Sequence, residues 1–249
     1  MLSRIAQSRK GRPLALPGKV GIVRNTVLGK HVLFAITIPG DSIQKTHRQK
    51  GFYEPEELEI IRGAFPAGGT FLDIGANVGN HSLFVALFLS PEQIIAVEPN
   101  RLAYEVLFAN LTLNSVEHLF DLDWIGLGIS DQPGSGFGVD FKMRNVGGGK
   151  LVEGEGEIDL VTGDEVVGDR RVDFIKIDVE GMEIQALNSL EKTVVRNAPR
   201  IFVEVDNQNR DAFFDWCKSN EYRAVANYRR YKVNENFLIV HEGDDLNGG

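Results

Sequence analysis

The stretch that decides the fold is Phe71-Leu72-Asp73-Ile74-Gly75-Ala76-Asn77-Val78-Gly79-Asn80-His81. An apolar run ends in an acid, a glycine-containing turn follows, and a helical pattern begins after it. A second apolar run ends at Glu98, twenty-five positions after Asp73. The order strand, turn, helix, strand, carboxylate predicts a site for a nucleotide-type ligand, in which backbone N–H groups approach the ligand and the carboxylate binds two ribose hydroxyls.

The middle of the turn narrows the choice of ligand. It reads Gly75-x-Asn77-x-Gly79, whereas dinucleotide-binding turns read G-x-G-x-x-G. A pyrophosphate needs a bare backbone at the second glycine, and an asparagine side chain stands there in this chain. Because an amide can bond the polar end of a ligand that has no phosphate, the turn favours S-adenosylmethionine over a dinucleotide.

Three segments of the chain resemble the FkbM family of S-adenosylmethionine-dependent methyltransferases. They are residues 73–82, residues 97–100 and residues 173–183, and similarity extends from about residue 41 to residue 241. The glycine turn alone is typical of any class I methyltransferase. The segment Lys176-Ile177-Asp178-Val179-Glu180-Gly181-Met182-Glu183 is much more specific to the family. The resemblance implies methyl transfer from S-adenosylmethionine.

Alternating strand and helix patterns predict an α/β fold with a doubly wound, mostly parallel sheet and a C-terminal antiparallel strand pair. The resemblance implies that this is the Rossmann-like sheet of a class I methyltransferase. Residues 124–130 are predicted to form the third strand of this sheet. The glycine-dense residues 134–156 predict a hairpin with a mobile tip. We expect three parts: an N-terminal arm with short strands and a lid segment (1–50), the methyltransferase domain (51–243) and a disordered tail (244–249).

Candidate cofactor residues lie where strands end, because ligands of such sheets bind outside the carboxyl ends of the strands. The turn and Asp73 are predicted to hold the methionine end, Glu98 the ribose, and Ser130 with Asp131 the adenine. Asp178 follows a further strand and would face the positive sulfonium. The full set is Asp73, Gly75, Asn77, Gly79, Asn80, Glu98, Pro99, Asn100, Ser130, Asp131 and Asp178.

An alcohol that accepts a methyl group must lose its proton, so a general base is expected. The candidates are Glu180, Glu204 and His47, although a lone loop histidine is more often a surface residue. Tyr53 and Glu54, in a segment that belongs to the family resemblance, are predicted to contact the acceptor. Lys176 interrupts an apolar strand, and its ammonium group is expected to pair with Asp178, Glu180 or Glu183.

A magnesium-dependent mechanism is the alternative to base catalysis alone. Asp178 ends one strand and Asp206-Asn207 end the next, and oxygen ligands of this kind bind Mg²⁺. An Asp-Asn pair after a strand is also a common turn, and the family resemblance does not extend to it. We therefore expect catalysis without a metal, which a chelator would leave intact.

Bulk properties exclude several classes of partner. The 249-residue chain has a net charge of −8, and its first forty residues carry seven Lys or Arg and no acid. The remainder is strongly acidic and is a poor nucleic-acid binder, while the basic arm could touch an anionic lipid or glycan surface. A single cysteine (Cys217), no signal peptide and no apolar run of membrane length predict a cytoplasmic protein without a membrane span.

The family resemblance implies O-methylation of a hydroxyl on a sugar, glycan or natural product, with S-adenosylmethionine as cofactor and a small-molecule or glycan acceptor. N- or carboxyl-methylation and a cofactor-binding protein without catalysis are the alternatives. A dinucleotide-dependent dehydrogenase is a third, against which Asn77 argues. The oligomeric state and the acceptor itself do not follow from the sequence, because loops build acceptor pockets.

Overall fold

The computed structural model describes residues 19–142, 145–154 and 156–244 of the chain. The expectations for the basic residues before 19, for the tip of the glycine-rich hairpin at 143–144 and for the tail beyond 244 lie outside these ranges. In chain order the strands are β1 (Gly21–Val27), β2 (Lys30–Ile36), β3 (Thr70–Ile74), β4 (Gln93–Val97), β5 (Phe120–Asp121), β6 (Leu127–Ile129), β7 (Gly134–Lys142), β8 (Asn145–Glu153), β9 (Ile158–Val161), β10 (Phe174–Ile177), β11 (Arg200–Asp206), β12 (Tyr222–Tyr228) and β13 (Asn234–His241).

The helices of the described ranges connect these strands. They are α1 (Ser42–Gln49), α2 (Pro55–Ala64), α3 (Asn80–Phe88), α4 (Arg101–Leu113), α5 (Gly163–Val167), α6 (Glu183–Asn188), α7 (Glu191–Asn197) and α8 (Arg210–Ser219). Pro55 stands in the first turn of α2, where its missing N–H costs nothing. None of them is long and apolar enough to cross a membrane.

Seven strands form the main sheet in the order β12-β13-β11-β10-β3-β4-β5. The run from β11 to β5 is parallel, and β13 and β12 close the other edge in antiparallel orientation. From β3 the chain continues to β4 and β5 on one side of that strand, and it later returns to place β10 and β11 on the other side. The sheet is therefore doubly wound, with its switch point between β3 and β10. The predicted fold class and its antiparallel pair are confirmed.

The central strands are buried on both faces. The apolar side chains of β3 and β10 have almost no exposed surface, as expected for parallel strands covered by helices on each side. Two charged residues interrupt them, Asp73 in β3 and Lys176 in β10, and the register pairs these two residues directly. The sheet therefore places an acid beside a base at its centre, just below the ends of both strands.

Four strands form a second sheet in the order β6-β9-β7-β8. This sheet shows that the prediction for residues 124–130 is wrong. Residues 124–130 do not supply the third strand of the main sheet, which is the two-residue β5. The carboxylate of Asp121 accepts hydrogen bonds from Asp123 N at 3.0 Å and from Trp124 Nε1 at 3.1 Å. This turn directs the chain away from the main sheet, and β6 pairs with β9 instead. The predicted glycine-rich hairpin is present as β7 and β8.

The hairpin of β1 and β2 packs on α4 through two amide side chains. Asn110 Oδ1 accepts from Ala35 N at 2.8 Å, and Asn114 bonds both backbone groups of Leu33 at 3.0 and 2.7 Å. Buried side chains of β2 join the cluster that contains Leu83 of α3 and Leu107 of α4. The described part of the predicted arm is therefore continuous with the core of the main domain.

Candidate active site

Four strand ends bring polar residues to one edge of the main sheet. In spatial order these are Glu204 of β11, Asp178 after β10, Gly75 after β3 and Glu98 after β4. Two adjoining depressions open at this edge, and both are lined by Gly75, Asp178 and Glu180. The ends of β3 and β10 thus form the junction between them.

Gly75 permits the closest backbone approach at this junction. Its φ is +81°, and a Cβ atom at this position would lie 1.9 Å from the carbonyl oxygen of Asp178. No side chain fits, so the glycine is required by space as well as by backbone conformation. Gly79, with φ of +83°, caps α3 and lies against Leu107, where a Cβ would be 3.2 Å away.

Glu98 is held by two backbone amides. Its Oε2 accepts from Asn77 N at 2.7 Å and its Oε1 accepts from Asn100 N at 2.7 Å. Burial raises the pKa of this carboxyl group to about 7, against the opposing effect of the two N–H groups. The side chain is thus fixed in place at the rim where a ribose is expected. Asn100 itself caps α4 by accepting from Leu102 N at 3.1 Å.

Lys176 is paired with two acids beneath the turn: Asp178, which is one of the predicted partners, and Asp73, which is not. Lys176 Nζ lies 3.2 Å from Asp73 Oδ1 and 3.6 Å from Asp178 Oδ2, and it donates to the carbonyl of Gly75 at 2.7 Å. Asp73 Oδ2 accepts from Ser82 Oγ at 2.5 Å. The carboxylates raise the pKa of Lys176 despite its burial. Asp73 is fully buried and lines neither depression, so its contacts support the turn from below.

The first depression, the narrow cleft, lies between the ends of β4, β6 and β10. Glu98 and Pro99 form one wall, and the remaining lining is mostly backbone and apolar side chain: Ile74, Gly75, Val97, Gly128, Ile129, Asp178, Val179, Glu180 and Met182. Ser130 and Asp131 do not line it. Ser130 Oγ instead accepts from Gln132 N at 3.1 Å. The sequence prediction missed Gly128, Ile129, Val179 and Met182, which carry no polar signal.

The second depression, the acidic cavity, has a volume of about 380 Å³. Four carboxylates face it: Glu54, Asp178, Glu180 and Glu204. Its other lining residues are Ser42, Ile43, Tyr53, Gly75, Ala76, Asn77, Asn80, His81, Lys176, Tyr231, Val233 and Asn234. None of the described lining residues comes from the β7–β8 hairpin.

The carboxylates of the acidic cavity are electrostatically coupled. Burial raises the pKa of Glu54 to about 8, and Asp178 and Glu57 add to the shift. Burial raises the pKa of Glu204 to about 9, with further contributions from Asp178 and Glu180. Like charges this close disfavour full ionisation, and a cation placed among them would be strongly favoured. Lys176 is the cation already present among the described lining residues.

Three lining residues of the cavity adopt left-handed backbone conformations without being glycine. They are Glu54 with φ of +58°, Asn77 with φ of +51° and Glu180 with φ of +48°. This conformation costs about 1 kcal/mol or more for each such residue and concentrates at functional sites. Two buried atoms of the lining also lack a hydrogen-bond partner within the described ranges, Asn77 Oδ1 and His81 Nε2. Both features are typical of a site shaped for a ligand.

Asn80 fastens the segment before α2 to the start of α3. Its Oδ1 accepts from Tyr53 N at 2.9 Å, and its Nδ2 donates to Tyr53 O at 2.9 Å. The same Oδ1 accepts from His47 Nε2 at 3.0 Å, so the imidazole carries its proton on Nε2. The Asn80 side chain, predicted to bind cofactor, therefore positions the Tyr53 segment.

His47 is not at the reacting centre. Its side chain is fully buried, stacks on Phe34 with ring centroids 4.2 Å apart, and lines neither depression. Burial lowers the pKa of His47 to about 4, which keeps the imidazole neutral. The prediction of His47 as a general base is wrong for this structure, because a proton acceptor must reach the substrate.

Tyr53, Glu54 and a distant loop form the outer wall of the cavity. The hydroxyl groups of Tyr53 and Tyr231 are in hydrogen-bond contact. Arg230 bonds Glu57 in a bidentate manner at 2.9 and 2.6 Å and lies 5.9 Å from the centre of the Tyr53 ring. The loop between β12 and β13 is thereby tied to the first turn of α2. Tyr231 and Val233 are largely exposed at the cavity mouth.

The magnesium ligands considered from the sequence are not brought together. Asp206 Oδ1 accepts from Gln208 N at 3.2 Å, and Asn207 bonds Lys232 O and Arg229 at 2.6 and 3.1 Å. Neither residue lines the acidic cavity. The acids that the fold does gather are Asp178, Glu180 and Glu204, with one oxygen from each within 4.8 Å of the others.

Solved structures share this architecture. An FkbM methyltransferase from Methylobacillus flagellatus KT superposes with a TM-score of 0.50 and 17% identity, covering 68% of this chain and 43% of its own. A Streptococcus agalactiae protein of the NADB-Rossmann superfamily gives a TM-score of 0.51 and 14% identity over 78% and 72% of the two chains. A putative transferase from Pyrococcus horikoshii gives 0.51 and 12% over 90% and 71%. At these identities the likeness shows the fold.

The family assignment comes from the sequence itself. The chain spans less than half the length of the Methylobacillus protein, and no curated protein matches it. The family described as the methyltransferase FkbM domain matches residues 73–232, which is more than half of the chain. This range contains the glycine turn, Glu98, Lys176 and all three gathered acids. The chain belongs to the FkbM methyltransferase family.

Proposed function

We propose that this protein transfers a methyl group from S-adenosylmethionine to a hydroxyl group of a sugar, glycan or related natural product. One observation carries the proposal: the narrow cleft and the acidic cavity meet at Gly75, Asp178 and Glu180. A cofactor lying across this junction would place adenosine beside Glu98 and its methyl group at the entrance of the acidic cavity. The acceptor would then approach from the side of Tyr53 and Tyr231.

The residues present fit the cofactor. The fixed carboxylate of Glu98 suits two ribose hydroxyls, and the apolar walls of the cleft suit an adenine ring. Asn77 Oδ1, buried without a partner among the described residues, can accept a hydrogen bond from the amino group of the methionine end. The N-terminus of α3 favours the carboxylate at the same end. The cofactor supplies an activated methyl group on a positively charged sulfur.

The charge of the acidic cavity bears on the class of acceptor. Glu54, Asp178, Glu180 and Glu204 would repel a carboxylate or a phosphate, which argues against carboxyl methylation. A neutral hydroxyl can donate its hydrogen bond to any of them. Tyr231 and Val233 at the mouth offer an aromatic and an aliphatic surface to a ring. An amine remains the alternative acceptor, because a cation would also be attracted.

The transfer is an in-line displacement. A lone pair of the acceptor oxygen forms the new bond to the methyl carbon, the carbon–sulfur bond breaks, and its electron pair stays on sulfur in neutral S-adenosylhomocysteine. The hydroxyl proton passes to a carboxylate of the cavity. Glu180 and Glu204 are the bases predicted from the sequence, and Glu54 joins them as a third candidate because it faces the same space.

Calorimetry with S-adenosylhomocysteine tests the cofactor assignment. Glu98→Ala removes two charge-assisted hydrogen bonds worth roughly 1.5–3 kcal/mol each, so affinity should fall by about a hundredfold or more. Glu117→Ala, an exposed acid distant from the cleft, is the matched control and should bind like the parent chain. Unchanged affinity in the Glu98 variant, or tighter binding of NADH than of S-adenosylhomocysteine by the parent, would refute the assignment.

Acceptor screening separates an enzyme from a cofactor-binding protein without catalysis. The parent chain and S-adenosylmethionine are incubated with a panel of glycans, polyols and amines, and products are read by mass spectrometry for the gain of one methylene. Methylation of hydroxyl-bearing compounds is expected. Products confined to amines would replace O-methylation by N-methylation, and cofactor binding without any product across the panel would favour the non-catalytic alternative.

A further inference from the structure

The fold gathers three acids into a set with the dimensions of a metal site. One oxygen each from Asp178, Glu180 and Glu204 lies within 4.8 Å of the other two. Oxygen ligands of a six-coordinate divalent cation are separated by about 3 Å when adjacent and by at most about 5 Å when opposite, given metal–oxygen distances of 2.0–2.6 Å. All three oxygens could therefore belong to one coordination sphere without rearrangement of the strands that carry them.

The position of each acid is fixed by a different part of the fold. Glu204 lies in β11, and Asp178 follows the neighbouring β10. Glu180 itself has a left-handed backbone conformation, which presents its side chain to the cavity. The three side chains are only partly buried, so water and ligand can reach them. The cavity in front of them, at about 380 Å³, has room for a cation with several water molecules and for an acceptor group.

A second and independent observation points to a ligand in the same space. His81, on the first turn of α3, lines the acidic cavity and has only 6% of its surface exposed. Its Nε2 has no hydrogen-bond partner among the residues that the structure describes, and Glu54 Oε2 stands 3.6 Å away. Buried polar atoms are normally satisfied. A water molecule bound to a cation among the three acids would satisfy this nitrogen.

The charged groups around the acidic cavity also favour a bound cation. Within the acidic cavity Lys176 is the cation that the described lining supplies, and its ammonium is shared between Asp73 and Asp178. Four acidic side chains, those of Glu54, Asp178, Glu180 and Glu204, face the cavity together with this lysine. The sulfonium and ammonium of the proposed cofactor are offset by one carboxylate, so the cofactor adds a single positive charge. The acidic groups of the cavity still outnumber the cations, an arrangement that favours binding of a further cation among them.

We infer that Asp178, Glu180 and Glu204 bind a divalent cation of the Mg²⁺ or Mn²⁺ class beside the transferring methyl group. The inference rests on the proposed function for its role and replaces our expectation of metal-free catalysis. A cation there would bind the acceptor oxygen and lower the pKa of its hydroxyl group. Glu54, which lies outside the ligand set, would then take the released proton.

Metal binding can be measured without any acceptor. The purified full chain is freed of metal with EDTA, desalted, and titrated with Mn²⁺ while free Mn²⁺ is followed by electron paramagnetic resonance. We expect one Mn²⁺ per chain, displaced by Mg²⁺. Glu204→Gln keeps the shape of the side chain and should weaken Mn²⁺ binding by more than about tenfold. Glu59→Gln alters an exposed acid that pairs with Arg62 on α2 and should leave it unchanged.

Two further measurements distinguish failure of the metal site from failure of the proposed function. If Glu204→Gln does not fold, terbium luminescence excited through Tyr53 and Tyr231 reports on a cation in the cavity of the parent chain, and Mg²⁺ should quench it by competition. S-adenosylhomocysteine affinity is measured in parallel. Intact cofactor binding without Mn²⁺ binding, or Mn²⁺ binding that Glu204→Gln and Asp178→Asn leave unchanged, overturns the metal site alone. Failure of the parent chain to bind S-adenosylhomocysteine would overturn the proposed function instead.

Discussion

The narrow cleft and the acidic cavity share a wall but are built in different ways. The polar group of the cleft, Glu98, is held by backbone amides that lie two and twenty-one residues away in sequence. The outer wall of the cavity depends on side chains far apart in the sequence, such as Tyr53 with Tyr231 and Arg230 with Glu57. The cleft is thus fixed by local backbone geometry, and the cavity wall by long-range side-chain contacts.

This difference teaches where each half can vary. Substituting side chains around the cleft leaves most of its backbone framework in place, whereas one substitution on the loop between β12 and β13 can reshape the acceptor wall. A family can therefore keep its cofactor site while changing its acceptor, because the lining residues that the two halves share, among those the structure describes, follow β3 and β10. The predictions below disturb first the shared junction and then each half.

The largest effect is expected from Gly75→Ala. A Cβ there would lie 1.9 Å from the carbonyl oxygen of Asp178, in a backbone conformation that alanine disfavours. Overpacking and backbone strain together should lower the free energy of unfolding by about 3 kcal/mol or more and abolish S-adenosylhomocysteine binding. Gly68→Ala is the control, since Gly68 also has positive φ but has open space around it.

Urea unfolding and calorimetry measure both effects. In the Gly68 variant, backbone strain alone should lower the free energy of unfolding by about 1 kcal/mol, and S-adenosylhomocysteine should bind normally. If the two variants were equally stable and bound the ligand equally, the close approach of the turn to the end of β10 would have no energetic importance.

Asn80→Ala should disturb the outer wall of the acidic cavity and leave the narrow cleft intact. Removing the amide leaves the N–H and C=O of Tyr53 and the Nε2 of His47 without partners. We expect the free energy of unfolding to fall by about 2–3 kcal/mol. Hydrogen exchange should quicken at residues 51–54, while S-adenosylhomocysteine affinity changes by less than about threefold. This limit reflects the additivity, to within about 0.3–0.5 kcal/mol, of substitutions at sites without shared partners.

Asn220→Ala, which removes a single amide at the end of α8, serves as the control. A large loss of S-adenosylhomocysteine affinity in Asn80→Ala, with unchanged exchange at residues 51–54, would restore the sequence-based assignment of Asn80 to the cofactor.

What the sequence predicts well is what local chemistry determines. The strand-turn-helix unit, the place of Glu98 after a strand, the pairing of Lys176 with Asp178 and the C-terminal antiparallel pair all follow from periodicity, glycine placement or the need to neutralise a buried charge. Each depends on residues of one or two adjacent elements. The glycines at 75 and 79 are predictable because both stand in a tight turn with positive φ, which side chains disfavour.

What the sequence does not predict depends on distant contacts. His47 resembles a loop base, yet the packing of β2 against α1 buries it under Phe34. Asp206 and Asn207 resemble metal ligands, yet hydrogen bonds to the β12–β13 loop and the following turn engage them. The grouping of Glu180 with Glu204 requires the order of β10 and β11 and the unusual backbone at Glu180, which no local pattern encodes.

A smaller effect is expected from pH on the narrow cleft. The pKa of Glu98 is raised to about 7, so the carboxylate needed for the ribose hydroxyls forms as the pH rises through 7. S-adenosylhomocysteine affinity should therefore increase by about tenfold between pH 6 and pH 8, since one pKa unit corresponds to 1.36 kcal/mol. Glu98→Gln should show a much flatter profile by calorimetry.

The stability of the protein without ligand should respond to pH in the opposite direction from the affinity: the contribution of Glu98 to stability falls as the pH rises. Because the folded state holds the Glu98 proton up to about pH 7 and the unfolded state releases it near pH 4.5, this group stabilises the free protein below that range and loses its contribution as pH rises through 7. His47, whose pKa is lowered to about 4, acts in the other direction, so that stability falls as the pH drops from 6.5 towards 4. Comparing the parent chain with Glu98→Gln isolates the first contribution. If the free energy of unfolding changed with pH in the same way in both proteins, the pKa of Glu98 would not be raised to about 7 in the folded state.

The smallest effect is expected from Tyr231→Phe, at the rim of the acidic cavity. The change removes only the hydroxyl contact with Tyr53, and Tyr231 is 45% exposed, so the free energy of unfolding should fall by less than about 1 kcal/mol. Hydrogen exchange should quicken at residues 229–233 and 51–54, while S-adenosylhomocysteine affinity stays at the parent value. Tyr228→Phe is the matched control, because the structure describes no hydrogen bond from the Tyr228 hydroxyl. If Tyr231→Phe weakened cofactor binding while exchange in both segments stayed at the parent rate, the acceptor wall and the cofactor cleft would be coupled, and the independence of the two halves would be wrong.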